Sequence, residues 1–135
     1  MKTRISESFA EQGMMTTLNA QLDGIEKGRV EISAPIVPEF AQQQGHAHAA
    51  LSFALGDTAA GYAALTCAPP DHEVVTAEIK INMLAPGRGD RLKAIGRVLK
   101  PGRRLIVVAA DVYAISDGTE THVAALQGTI VPVPV

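Results

Sequence analysis

The chain of 135 residues has a single cysteine, no tryptophan and few aromatic rings, since Phe and Tyr together make up 4% of it. One cysteine, Cys67, excludes an internal disulfide and is typical of a reducing compartment. So few aromatic side chains leave little on which nucleobases could stack. Lys and Arg number 12 against 14 Asp and Glu, so no basic excess is present to neutralise a nucleic-acid backbone. These features argue against a disulfide-built protein and against a nucleic-acid-binding protein.

Long apolar runs are also missing. No stretch reaches the length needed to span a bilayer, and residues 1–15 lack the apolar segment of a secretory signal. We therefore expect a cytoplasmic protein with no membrane attachment. His46 and His48 lie two residues apart, but two ligands with no further Cys or His nearby are too few for a metal. We expect neither a metal nor a cofactor, and one domain over residues 1–135.

Small apolar residues are abundant and are concentrated between Ala49 and Leu65, where the chain reads AALSFALGDTAAGYAAL. The length and alanine content of this stretch predict a helix. The helix is apolar nearly all round and is therefore expected to be buried. Gly56 and Gly61 each cost it about 1 kcal/mol relative to Ala. Glycine lets a sheet or a ligand approach closely, and we expect tight packing against a sheet to explain Gly61.

Asp57 is the only charged residue in this helix. Burying an unpaired carboxylate costs several kcal/mol, so its pKa should rise or the group should find partners. A residue in so costly a position is a candidate for a functional site. The alternative is a carboxylate that is satisfied structurally, for example at a subunit contact.

The remaining patterns predict a short helix at Ser6–Gly13 and six strands. Two strands precede the apolar helix and are joined by a hairpin turn. Four consecutive strands follow it and predict an antiparallel sheet, which only the apolar helix can cover. The sequence therefore predicts an α+β fold, with a curved six-stranded antiparallel sheet around a long central helix. The predicted strands are Met14–Leu22, Gly28–Ala34, Val74–Leu84, Arg91–Leu99, Arg104–Ile115 and Glu120–Val131.

The residues around the start of the apolar helix resemble a segment of the phenylacetyl-CoA thioesterase (PaaI-like) family, which has the hotdog fold. That segment runs Asn or Gln, two residues, Gly, two residues, His-Gly-Gly, and then a helix reaching Asp or Glu nine positions after the His. Gln42, Gly45, His48 and Asp57 occupy those positions here. The resemblance spans about residues 15–131 and implies a hotdog-fold acyl-CoA thioesterase. It continues through Ile79–Pro86, Gly89–Leu92 and Gly102–Leu105.

The resemblance assigns two central roles. The position after the His supplies a backbone N–H to the thioester oxygen in the family, and Ala49 occupies it here. Ala49 and Ala50 replace the two glycines, so the N–H is kept but a methyl crowds its approach. Asp57 would act as a general base on water or as a nucleophile that forms a mixed anhydride, and both roles stay open.

The spacing of these two residues predicts an assembly. Ala49 and Asp57 are about 12 Å apart along the helix axis, at 1.5 Å per residue. One thioester carbon cannot contact both groups across that gap. Family sites lie between two subunits, so we expect a homodimer, which forms a tetramer in turn. In it, Asp57 of one chain faces Gln42 and Ala49 of the other.

Other residues receive supporting roles. Gln42 would hold the water or the carbonyl, or it is a solvated loop amide. His48 is grouped with the site, where capping the helix or holding the loop is favoured over catalysis. The backbone from Met83 to Pro86 would accompany the pantetheine arm. Cations would hold the phosphates of coenzyme A, which enters as part of the substrate; ordinary solvated charges are the alternative. The residues expected to bind substrate are Gly45, Ala50, Phe53, Thr58, Gly61, Met83, Leu84, Pro86, Arg88, Lys100, Arg103 and Arg104.

The favoured function is hydrolysis of an aryl- or medium-chain acyl-CoA. A non-catalytic acyl-CoA binding or sensing module is the first alternative, supported by Ala49 and Ala50. A hotdog dehydratase or hydratase is the second, although it would need an Asp–His pair at the helix start, whereas Asp57 is in mid-helix. A purely structural homo-oligomer is the third, and the isolated carboxylate argues against it.

Overall fold

The alanine-rich segment forms the longest helix of the structure, a computed structural model that describes residues 1–135. Its bounds, Ala49–Leu65, are those predicted. A one-turn 3-10 helix, Pro38–Phe40, precedes it. The helices are α1 (Lys2–Glu11), α2 (Gly13–Thr17) and α3 (Ala49–Leu65), and the strands are β1 (Gln21–Glu26), β2 (Arg29–Pro35), β3 (His72–Met83), β4 (Arg91–Pro101), β5 (Ile106–Ser116) and β6 (Thr119–Pro134).

The six strands form one antiparallel sheet in the order β1-β2-β4-β5-β6-β3. Alternate residues of β5, such as Ile106, Val108 and Ala110, are buried and face the helix. Helix α3 approaches β4 so closely that a Cβ at Gly96 would lie 2.3 Å from the Ala59 carbonyl carbon. A glycine is therefore required where sheet and helix meet.

The curved six-stranded antiparallel sheet around a central helix is the hotdog fold, and the predicted fold class is confirmed. No helix combines the length and the hydropathy that crossing a membrane requires.

One predicted strand is wrong in its first half. Met14–Thr17 belongs to helix α2, and strand β1 begins only at Gln21. Met15 and Leu18 are buried three residues apart, a spacing that suits a helix. The N-terminal helix also starts earlier than predicted, at Lys2. The hairpin turn between β1 and β2 is shorter than predicted and ends on Gly28, whose φ is +78°.

Two surfaces of the single chain lack a covering element. Strand β3 lies at one edge of the sheet, is 12 residues long, and pairs only with β6. The sequence predicted that helix α3 is buried on all sides, and this is wrong for one side in a single chain. Ala49, Ala50 and Phe53 are exposed there, and Asp57 and Thr58 are half-buried. The sheet covers only the opposite side of the helix, so this uncovered stripe stays open in one chain.

Candidate active site

Asp57 lies in an open cleft of about 220 Å³ between α1, α3 and β3. Its Oδ1 accepts a hydrogen bond of 2.8 Å from the hydroxyl of Thr76, on the inner side of β3. Thr58 and Gly61, both predicted to bind substrate, border the same cleft. The complete burial expected for the carboxylate is not reached within one chain, since Asp57 is only half-buried. Only one hydrogen bond engages it, so its second oxygen is free for chemistry.

The two glycines of α3 have opposite surroundings. A Cβ at Gly56 would lie 2.8 Å from a methyl of Leu126, so this glycine packs against the sheet. A Cβ at Gly61 would meet no atom within 4 Å. The expectation that sheet packing explains Gly61 is therefore wrong, because its side of the helix faces the cleft of Asp57.

Sequence reasoning missed a polar wall on this cleft. The Tyr62 hydroxyl accepts a hydrogen bond of 2.7 Å from Gln12 Nε2 and lies 3.0 Å from Ser8 Oγ. Ser8 lies in α1 and Gln12 lies between α1 and α2, fifty or more residues before Tyr62, and no local pattern connects them to Asp57. The one available signal was the tyrosine itself, a polar ring five residues after the carboxylate in an apolar helix. Leu65, Glu73 and Val74 complete the lining.

The start of α3 is organised by His48. The imidazole Nδ1 accepts a hydrogen bond of 2.9 Å from the Ala50 N–H, and the His48 carbonyl accepts one of 2.9 Å from the Leu51 N–H. His48 therefore caps the helix. The N–H of Ala49 has no hydrogen-bond partner, and Ala49 is exposed. A free N–H in the first turn carries part of the positive end of the helix dipole and is suited to an anionic oxygen.

The loop before the helix uses the side chain of Gln42. Its Oε1 accepts hydrogen bonds from the backbone N–H groups of Gln44 and His46, which closes the turn. Gly45 has a φ of +83° within this turn, a conformation that favours glycine. Outside the loop, Arg88 Nε donates to His46 Nε2 at 3.0 Å. The loop is thus held from within and from the β3–β4 connection.

A second cleft, of about 410 Å³, opens at this end of the helix. It brings together Gln42, Ala49 and the β3 end that was expected to bind the pantetheine arm, namely Met83, Leu84 and Pro86. Asp57 is not among its residues. In one chain, the carboxylate and the free N–H therefore lie in separate clefts.

Other predicted residues lie elsewhere. Ala50 borders a third cleft, which is mostly apolar and also contains His48, Met14 and Phe40. Phe53 is 38% exposed on the uncovered stripe of α3 and lines none of these three clefts.

The four predicted phosphate-binding cations do not form one cluster in a single chain. Arg88 lies beside the helix start. The others lie at the far end of β4 and in the turn that follows it, and this 11-residue strand spans about 34 Å at 3.4 Å per residue. They are Lys100, Arg103 and Arg104, all exposed.

The side chains of the clefts do not form a metal-binding cluster. No group of three or more His, Cys, Asp or Glu side chains comes close enough to hold an ion. The hydrogen bond from His72 is the main reason that the pKa of Asp71 is lowered, and Arg4 contributes weakly. Asp71 lies in the α3–β3 connection, outside the clefts described above.

Comparison with known proteins identifies the family. Residues 44–121 match the model of the family described as the thioesterase superfamily. A thioesterase family protein from Silicibacter pomeroyi is 36% identical, with a TM-score of 0.97 over 99% of this chain and 98% of that one. A Bacillus halodurans protein crystallised with CoA is 25% identical, with a TM-score of 0.82 over 95% of this chain and 80% of that one.

The similarity to PaaI itself concerns the fold. PaaI of E. coli, from the phenylacetic acid degradation operon, is 19% identical, with a TM-score of 0.83 over 95% of this chain and 89% of that one. Membership of a PaaI-like group within the family therefore stays a prediction. The match over more than half of the chain, together with 36% identity over nearly all of it, establishes the wider family. This chain belongs to the thioesterase superfamily.

Proposed function

We propose that the protein is an acyl-CoA thioesterase whose active site is shared by two copies of the chain. Asp57 comes from one copy, and the Ala49 N–H comes from the other. One observation carries this proposal. The carboxylate and the free helix N–H lie in separate clefts, and each cleft borders a different end of β3.

The unpaired edge of β3 supplies the geometry of the dimer. Two such edges can pair antiparallel about a two-fold axis, so that the start of one β3 lies beside the end of the other. Thr76 borders the Asp57 cleft, and Met83 borders the Ala49 cleft. They are about 24 Å apart along the strand, at 3.4 Å per residue. This pairing would bring the carboxylate cleft of each copy to the helix-start cleft of its partner.

The exposed surface supports the same arrangement. A long unpaired edge strand is an aggregation hazard unless something covers it, and β3 has no covering element in one chain. Beside it, the uncovered stripe of α3 exposes Phe53. A partner chain would cover both surfaces, which explains why a largely apolar helix is left partly open in one chain.

The chemistry follows from the two groups. The Ala49 N–H would stabilise the oxyanion that develops on the thioester carbonyl, an interaction worth roughly 2.7–4 kcal/mol of the barrier. Asp57, oriented by Thr76, would take a proton from water as the water oxygen attacks the carbonyl carbon. The C–S bond then breaks, the proton held by Asp57 passes to the departing thiolate, and the products are the acid and the thiol of coenzyme A. Direct attack by the carboxylate, through a mixed anhydride, is the alternative role for Asp57.

The supporting residues act around these two groups. Gln42 keeps the loop closed through its Oε1, and one N–H of its amide is free to reach the carbonyl or the water. Arg88 stands beside the helix-start cleft, where it would meet a phosphate of coenzyme A. The Bacillus halodurans relative crystallised with CoA supports this class of substrate. For the acyl part we propose an aryl or medium-chain group.

The test is release of free thiol from a panel of acyl-CoA esters by the purified protein. Asp57→Asn should lower kcat by about 10²–10⁴ while the protein stays folded, because the amide cannot accept the proton. Asp23→Asn is the matched control, since Asp23 is exposed on β1 at the opposite edge of the sheet. If the Asp57→Asn protein is folded and as fast as its parent, the assigned role is wrong.

A non-catalytic acyl-CoA binding module is the second candidate, and one feature favours it. The methyl group of Ala49 stands where the family has glycine, beside the N–H that the carbonyl oxygen must reach. Binding of acyl-CoA without thiol release, with equal affinity for the parent and Asp57→Asn proteins, would support this candidate instead.

A further inference from the structure

The cleft that holds Asp57 is unusually polar for an acyl-binding site. Leu65 and Val74 are the only aliphatic side chains that line it. Its lining also includes Ser8 of α1, Gln12 at the end of α1 and Tyr62 of α3, a group that we name the α1 polar wall. Pockets for small ligands are usually apolar with a few placed polar groups, so polar side chains here point to a polar feature of the ligand.

The α1 polar wall retains unused hydrogen-bonding capacity. Gln12 Nε2 donates one N–H to the Tyr62 hydroxyl, at 2.7 Å. Its second N–H and its Oε1 have no partner within the chain. Ser8 Oγ lies 3.0 Å from the same hydroxyl, and one partner leaves a hydroxyl able to form further bonds. The wall thus offers both donors and acceptors to a group that enters the cleft.

The volume of the cleft is that of a small group. An enclosed cavity of about 150 Å³ holds benzene, so the open cleft of about 220 Å³ has room for one ring or a short chain. Tyr62 follows Asp57 by five residues, about 7.5 Å along the helix axis. With the thioester carbonyl beside Asp57, the far end of a short acyl group would reach the wall.

We propose that the α1 polar wall selects short acyl groups that carry a hydroxyl or another hydrogen-bonding group at their far end, with Gln12 as the main specificity-determining residue. This proposal rests on the acyl-CoA thioesterase function proposed above. The wall lies in the same cleft as Asp57 and has unpaired donors and acceptors, so a polar substituent at the far end of the acyl group can form hydrogen bonds there. An alkyl group of equal size would leave the wall desolvated and unpaired, which costs affinity.

The test uses two pairs of CoA esters matched in size, 4-hydroxyphenylacetyl with 4-methylphenylacetyl and 6-hydroxyhexanoyl with heptanoyl. The parent enzyme should prefer the hydroxylated member of at least one pair by about tenfold in kcat/KM, the value of one good neutral hydrogen bond. Gln12→Leu and Tyr62→Phe should bring that ratio close to one while the member without the hydroxyl is still hydrolysed. Tyr113→Phe is the control, because this tyrosine, the only other one in the chain, stacks on His122 on the outer face of the sheet.

Binding separates this proposal from the proposed function. In Asp57→Asn protein, the Kd values for each pair should show the same preference without hydrolysis. If the parent cleaves none of the esters but the Kd preference is present and is lost in Gln12→Leu, recognition stands and the hydrolytic function fails. The proposal is wrong if the kcat/KM values of the two members differ by less than threefold in both pairs, or if Gln12→Leu leaves the ratio unchanged. In either case the α1 polar wall does not determine the acyl specificity.

Discussion

Ala49 combines two properties that are rarely found together. It is the first residue of α3, so no earlier helical carbonyl can accept its N–H, and the cap of His48 engages Ala50 instead. It is also exposed, so a ligand can reach the N–H. A free donor at the positive end of a 17-residue helix stabilises a negative oxygen without reorganisation during the reaction.

This donor can be removed without breaking the helix. Ala49→Pro deletes the N–H at the first helical position, where proline is well tolerated. The extended backbone of His48, with a ψ of 142°, suits a residue before proline. We expect the melting temperature to stay within a few degrees of the parent and kcat to fall about 10²–10³-fold, measured by thiol release.

Ala49→Gly is the matched control for this prediction. Glycine keeps the N–H and removes the methyl that crowds its approach, so activity should be retained or raised. If the proline variant is folded and as active as the parent, the Ala49 N–H does not hold the oxyanion.

At the scale of elements, α3 has two unlike faces. Gly56 is on the side that packs against Leu126 of β6, and Gly61 is on the side that borders the Asp57 cleft. A helix that served only as the core of the sheet would need small residues on the first side alone. The glycine on the open side is costly for the helix, and space for a bound molecule is a reason to keep it.

Gly61→Ala should therefore separate stability from activity. The added methyl meets nothing in the single chain, so the free energy of unfolding should rise by about 1 kcal/mol, the difference between Gly and Ala in a helix. The same methyl would protrude into the cleft and should lower kcat/KM for acyl-CoA about tenfold. Chemical denaturation and thiol release measure the two effects.

Gly56→Ala provides the comparison. Its methyl would overlap with Leu126, so overpacking should cancel the gain in helix propensity, and stability should not rise. If Gly61→Ala is more stable and fully active, no substrate approaches the helix at that position.

Elements differed in how well their sequences predicted them. The 17 residues of α3 were predicted in full because alanine content and length are local signals. Helix α2 has only five residues, too few for helical and strand periodicities to be distinguished, so it was predicted as the start of a strand. Its neighbours in the fold, rather than its own sequence, bury Met15 and Leu18.

At the scale of the whole molecule, each chain holds one half of two sites. Under the proposed pairing, Asp57 of one chain completes the helix start of the other, and the reverse holds across the two-fold axis. A substitution at Asp57 and a substitution at Ala49 would then inactivate different halves of the same site.

Mixing two inactive variants should restore activity. Asp57→Asn and Ala49→Pro proteins, unfolded together and refolded at equal concentrations, should form heterodimers as about half of all dimers, each with one intact site of two, and recover about a quarter of the parental activity. Light scattering on the parent should give at least a dimer. Activity that stays absent in a mixture shown by mass spectrometry to contain heterodimers would place the whole site within one chain.

The sequence by itself determined the central helix, the strands in outline and the resemblance to a thioesterase family. These depend on periodicity within a segment and on the spacing from Gln42 to Asp57. Only the tertiary structure decided which side chains share a cleft with the carboxylate. Thr76 reaches Asp57 across 19 residues, and Gln12 reaches Tyr62 across 50. Such contacts follow from the strand order and from the way α1 packs on α3, which no local pattern encodes.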